Sequence, residues 1–275
     1  MGLETDKIET ISPLVRRITA GNSGIFTGPG TNTYLIGVNK VTVLDPGPAI
    51  EEHIEAISKC LGEIEQIVIT HTHLDHSPGV KLLQDKLDIP AFGLITESSK
   101  DQDLTFTPHS LLKHNEIVNV ENHRLRVIHT PGHASNHLCY LLEQEGIIFT
   151  GDHIMNGSTV VIPPPDGNMR HYIESLDMLK NYDLKTIAPG HGETLQDPQT
   201  VAQGIIKHRL ERENKVLVAI KNNGQGNADS LVEEVYADVN SLLFPIAKWS
   251  LESHLIKLFE DGVLSREENT YQYIS

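Results

Sequence analysis

The chain has 275 residues, 39% of them hydrophobic and only 5% aromatic, with a formal charge of −15. That length supports one aliphatic core, or one core with a small appendage. The acidic balance excludes loose, sequence-blind nucleic-acid binding, and the lack of any apolar run of about 18 residues excludes a membrane-spanning helix. The first twelve residues carry Glu4, Asp6 and Glu9 and no apolar stretch, which resembles neither a secretory signal nor a transit peptide. Cys60 lies in a helical pattern and Cys139 in a strand pattern, so two buried reduced thiols are expected, and with them a cytoplasmic setting.

In chain order, residues 14–19 read as a strand, and 20–30, with four glycines and a proline, as a loop. Residues 31–37 and 40–44 read as consecutive strands around a turn at Val38 and Asn39, closed by Asp45-Pro46-Gly47-Pro48. Helical spacing follows over 49–61, with Ile50, Ile54, Ile57 and Leu61 on one face. The β-branched run 66–70 predicts a buried strand. Ser77 as N-cap and Pro78 at the first helical position predict a helix through Lys86. A short strand is expected at 90–93, and a polar loop partly overhanging the site at 95–117. Residues 117–120 pair in prediction with 125–129, and 138–142 with 146–150. A helix over 168–181 turns Tyr172, Leu176 and Leu179 inward, and a last strand covers 185–188. Beyond Asp197 the pattern is a long amphipathic helix at 200–222, a flexible break at 223–227 and a helix opened by a capping box at 230–233. A third helix at 246–260 follows, then a closing hairpin. The order predicts two mixed sheets with helices outside and a winged-helix-like tail.

Between the strand at 66–70 and the next helix lies His71-Thr72-His73-Leu74-Asp75-His76. Three imidazoles and a carboxylate so close are costly to desolvate without a partner, and a divalent cation suits them. Three more strands end in small residues that present a candidate ligand: Pro131-Gly132-His133, Gly151-Asp152-His153 and Pro189-Gly190-His191-Gly192. His129 reads as a strand residue. His153 reads as a neighbour of the ligands, Asn32 as a bond to buried backbone, and His171 as a capping or packing residue.

These motifs resemble, over residues 14–195, the metallo-β-lactamase superfamily. Within it the chain is most similar to the β-lactamase-like protein 2 group, which includes single-strand-specific endoribonucleases. That similarity extends to residues 30–35, Asp45-Pro46-Gly47, His208-Arg209, Ala247-Lys248 and Leu255. The resemblance implies an α+β fold, a four-layer αββα sandwich at 1–197 with a C-terminal winged-helix-like domain at 198–275. It implies two divalent metals, zinc first with iron or manganese as alternatives. His71, His73 and His133 would hold one, Asp75, His76 and His191 the other, and Asp152 would bridge them. A bridging hydroxide would be the nucleophile, with Asp75 as the catalytic residue that orients it. Asp152 stands where the antibiotic-hydrolysing branch commonly has Cys, which argues against β-lactams as the main substrate. The resemblance leaves two substrate classes, single-stranded RNA first and a small anionic thioester or ester as the alternative. A non-catalytic metal-binding sensor is a weaker third reading. No membrane partner is expected, and the tail is expected either to cover the site or to form a homodimer contact. The tail itself is not basic, unlike a winged helix that grips nucleic acid.

Overall fold

The computed structural model describes residues 4–98, 101–157 and 159–274. The chain forms two compact units. The first takes the residues up to Thr130, Asn136–Thr159 and Tyr182–Pro198; the second takes Pro131–Ser135, Val160–Asn181 and the residues from Gln199 on. No helix among the described residues is long and apolar enough to cross a membrane.

The first unit is built on two sheets. Seven strands lie in sequence order: β1 (Glu9–Thr10), β2 (Val15–Thr19), β3 (Asn32–Ile36), β4 (Lys40–Leu44), β5 (Glu63–Val68), β6 (Ala91–Gly93) and β7 (Ser110–Leu111). Six strands form the second sheet: β8 (Ile117–Val120), β9 (His123–His129), β10 (Leu138–Leu142), β11 (Ile147–Gly151), β12 (Thr186–Pro189) and β13 (Leu195–Gln196), in the order β13-β12-β11-β10-β9-β8. The period-2 alternation of the strands separates two faces. Tyr34, Ile36, Leu44 and Val68 of the first sheet meet Val127, Leu138, Tyr140 and Phe149 of the second in one core. Leu35, Val43, Ile67 and Ile69 point the other way, onto Ile54 and Ile57 of helix α1 (Glu51–Ser58) and Val80 and Leu83 of α2 (Gly79–Leu87). Each fully buried Leu, Ile or Val contributes about 1.5–3 kcal/mol. Cys60 and Cys139 are buried free thiols, as expected.

Local boundaries differ where distant partners intervene. Helix α1 stops at Ser58, and Leu61 is left 81% exposed. The chain turns at Gly62 (φ 98°), where a Cβ would lie 2.3 Å from the Val38 carbonyl oxygen. Ser77 does not cap α2: Pro78 holds the cap position, and the Ser77 hydroxyl donates to Asp103 at 2.8 Å. The loop expected at 95–117 contains β7. Within it, Asp103 N donates to the Thr72 carbonyl (2.6 Å) and Gln102 pairs with His73, so this loop is pinned to the His-rich one. Ser99 and Lys100 of that loop lie outside the described residues.

The second unit contains α3 (Met169–Met178), α4 (Pro198–Asn223), α5 (Ala228–Val235), α6 (Phe244–Glu260) and a small sheet of β14 (Gln225–Gly226), β15 (Leu264–Glu267) and β16 (Thr270–Tyr273). Tyr172, Leu176 and Leu179 are buried as predicted, and Asn168 caps α3 by accepting from His171 N. Val216, Ile220, Leu231, Val235, Leu251, Leu255 and Tyr271 share one core. The expected break at 223–227 is ordered: Gln225 pairs with Gln272 across β14 and β16. The capping box of α5 begins three residues earlier than predicted, at Asn227 with Ser230 as its partner, because Asn227 adopts the extended backbone that a cap needs.

Candidate metal centre

Parallel pairing sets β4 beside β5 and β11 beside β12. The carboxyl ends of these strands release Asp45, residues 71–76, Asp152 and Gly190-His191 at one edge of the sandwich, where α/β proteins place their ligands. Hydrogen bonds tie the two sheets there. Leu138 N donates to the Thr70 carbonyl (2.7 Å), the Tyr140 hydroxyl to Ile69 O (2.7 Å) and the Tyr34 hydroxyl to Pro189 O (2.8 Å). Asn32 does bond buried backbone, donating through Nδ2 to Pro189 O and Gly192 O at 3.0 and 2.8 Å.

Six of the seven predicted ligands fall in the first unit. His71 Nε2 and His73 Nδ1 are 2.9 Å apart. His191 Nε2 lies 3.2 Å from Asp152 Oδ1 and 3.3 Å from Asp75 Oδ2; His76 Nε2 lies 3.4 and 3.6 Å from the same two oxygens. Two groups lying wholly within this unit have donor atoms close enough to share an ion: His71, His76 and Asp152, and Asp75, His76 and His191. His133 belongs to the second unit, where its Nδ1 bonds the Val161 carbonyl at 2.7 Å. His129 is a half-buried residue of β9, and His171 is exposed on α3.

Asp45, which residue-by-residue reading left without a role, fixes the ring orientations. Fully buried, it accepts from Thr70 N (2.6 Å), the Thr70 hydroxyl (2.7 Å) and His76 Nδ1 (2.9 Å). A carboxylate only accepts, so His76 Nδ1 carries a proton and Nε2 is the ring atom that faces the cluster. The Thr70 hydroxyl spends its proton on Asp45 and so accepts from His71 Nδ1 (2.9 Å), which leaves His71 Nε2 as the outward atom. His191 Nδ1 donates to Gly30 O (3.1 Å), and the same logic applies. His76 Nε2 and His191 Nε2 are buried and have no hydrogen-bond partner among the described residues. His137 was also missed: Asp152 N donates to its Nε2 at 3.2 Å, fixing the backbone of that carboxylate. The signal for Asp45 was available, since it too is an acidic residue at a strand end followed by Pro and Gly.

The electrostatics favour cations. Burial lowers the His191 pKa, but Asp152 and Asp75 outweigh it and raise it to about 9; His76 is raised well above its usual value for the same reason. Burial raises the carboxylates, yet His76 and His191 hold Asp75 down to about 2 and Asp152 well below its usual range. Two glycines keep the cluster tight. At Gly151 (φ 45°) a Cβ would lie 2.6 Å from Thr70 Oγ1, and at Gly190 it would lie 2.9 Å from Asp152 Oδ1.

Two β-sheets with a His/Asp cluster at one edge form an architecture that could hold divalent ions. Residues 26–191 match the metallo-beta-lactamase superfamily model, and residues 228–272 the beta-lactamase associated winged helix domain. The chain belongs to the metallo-beta-lactamase superfamily, with the α+β architecture and C-terminal winged helix expected from the sequence. It is 31% identical to the beta-lactamase-like protein 2 homolog of Caenorhabditis elegans, across 98% of this chain and 92% of that protein. It is 29% identical to the atrochrysone carboxyl ACP thioesterase dmxR1 of Cryptosporiopsis, across 96% and 85%. A beta-lactamase domain protein from Burkholderia ambifaria superposes with a TM-score of 0.84 at 18% identity, covering 98% of this chain and 94% of that one.

Proposed function

We propose that this protein is a hydrolase dependent on two divalent ions, zinc first. The observation that carries the reading is the pair of His/Asp groups whose Nε2 atoms are aimed inward by Asp45, Thr70 and Gly30. Buried imidazole nitrogens without partners, beside carboxylates, fit such ions. His71, His73 and His133 would hold one, Asp75, His76 and His191 the other, with Asp152 between them. His133 is three residues before Asn136, whose Nδ2 bonds Thr72 Oγ1 at 2.7 Å inside the His-rich loop. When bound, such an ion pair lowers the pKa of a water toward neutrality and polarises the scissile carbonyl or phosphoryl oxygen. Asp75, a carboxylate throughout the physiological range, orients that water and takes its proton. Replacing Asp45 with Asn keeps the shape but removes the charge that fixes His71 and His76. Asp45→Asn is expected to weaken metal affinity about 10–100-fold, measured by competition with a chelator.

For the substrate, the group resemblance favours single-stranded RNA and the chemistry of the loops favours an acyl thioester or ester; we give the second precedence. The loops that carry or contact the candidate ligands expose Ile25, Phe26, Leu74, Ile95 and Leu104, and among their described residues the single Lys or Arg is Lys113, which follows β7. Apolar loops suit an acyl chain, whereas an RNA-binding channel needs cations along the phosphates. The test is turnover of an acyl thioester and of unstructured RNA by metal-loaded protein across a salt series. A thioester substrate should be hydrolysed with little salt dependence. RNA binding should weaken by roughly 0.7 log units per phosphate contact per tenfold salt and tighten with strand length. RNA cleavage with that signature and no thioesterase activity would reverse the order.

A further inference from the structure

We propose that Arg209 of α4 is a positioning residue for His133, acting through the Val160–Val161 backbone and Tyr172 within the second unit; this rests on His133 being a ligand, as above. His133 Nδ1 donates to the Val161 carbonyl at 2.7 Å, and this bond sets which way its ring faces. Val161 lies outside any strand or helix, so no ladder holds its carbonyl in place. The adjacent carbonyl, that of Val160, accepts from Nη2 of Arg209, which is 3% exposed. The same guanidinium lies 5.3 Å over the centre of the buried Tyr172 ring.

Tyr172 in turn braces the backbone next to His133. At Gly132 (φ 146°) a Cβ would lie 2.4 Å from Tyr172 Cα, so helix and turn are in direct backbone contact. Asn168 N donates to Gly132 O (2.8 Å), and the Ser175 hydroxyl donates to Pro131 O (2.9 Å). The backbone of His133 and the acceptor of its ring therefore both lead back to Arg209, one through Tyr172 and one through Val160. Ion pairs from Arg170 to Asp261 (2.5 Å) and Glu260 (3.7 Å) link α3 to the end of α6, which holds α3 within the same unit.

Arg212, one turn along α4, provides a matched control. It is 6% exposed, donates to the Val235 carbonyl at 2.5 Å and to Asp238 at 2.7 Å, and lies 4.3 Å over the Tyr236 ring. The experiment titrates cobalt(II) into metal-stripped full-length protein and follows the visible absorption bands, alongside thermal unfolding, for wild type, Arg209→Met and Arg212→Met. Both variants should lower the unfolding temperature. Only Arg209→Met should shift the cobalt bands and weaken one binding phase about 10–100-fold. Wild-type binding and bands in Arg209→Met, or the same loss in Arg212→Met, would overturn the proposal. If Arg209→Met does not fold, Arg209→Lys keeps the charge without the planar fork over Tyr172; unshifted bands in that variant would overturn it equally. Failure of the wild type to bind cobalt would instead sink the metal-centre reading itself, and this inference with it.

Discussion

Asp152→Ala is expected to lower kcat/KM by roughly a thousandfold or more, about 4 kcal/mol of transition-state stabilisation. The carboxylate is buried, and its Oδ1 lies within 3.4 Å of both His76 Nε2 and His191 Nε2. Among the described residues, the other carboxylate that shares both neighbours is Asp75, whose side chain is 27% exposed and already committed to the same pair. Removing Asp152 leaves two buried imidazoles that it held in their raised state, and it removes the one ligand proposed to bind both ions. Elemental analysis should find close to two equivalents of metal in the wild type and one or fewer in the variant. A reproducible single equivalent in metal-replete wild type would contradict the bridging role. Near-normal turnover by Asp152→Ala would remove the site from consideration.

Cutting the chain after residue 197 is expected to give an insoluble or inactive product. The excised residues contain α4, α5 and α6, and with them the core of Val216, Ile220, Leu251 and Leu255. The second unit also includes Pro131–Ser135 and Val160–Asn181, which would remain behind. Those segments would lose Arg209 from Val160 and Tyr172, and Glu260 and Asp261 from Arg170. Tyr172, Leu176 and the irregular run around Val161 would then have lost most of their own unit, and exposed apolar surface of this kind drives association. Solubility, far-ultraviolet circular dichroism and metal content of the 1–197 fragment provide the check. A monomeric, folded fragment that keeps its activity would show that 197/198 separates independent domains and that the tail is dispensable.

The sequence by itself determined the parts of this protein whose signals are local. Period-2 runs such as 31–37 and 138–142 place strands, because alternate side chains must face opposite sides of a sheet. The loops of the candidate site were legible because His71-Thr72-His73-Leu74-Asp75-His76 concentrates donors between two apolar elements, and Gly151-Asp152 and Gly190-His191 repeat the pattern. Only the tertiary structure decided which groups orient them. Asp45 reaches His76 across 31 positions and Gly30 reaches His191 across 161, and no spacing rule links residues so far apart. The short strands β1, β7, β13 and β14 are also products of pairing, being two residues each and too brief to show a period. Ser77 had the sequence of a helix cap, but the cap position falls to Pro78 and the Ser77 hydroxyl is turned to donate to Asp103, 26 residues away. The same reason separates His133 from the other candidate ligands. Its motif identified it, but its ring is held through Val161, beside the Val160 carbonyl that Arg209 engages 49 residues further on, and such a contact exists only once both segments have folded together.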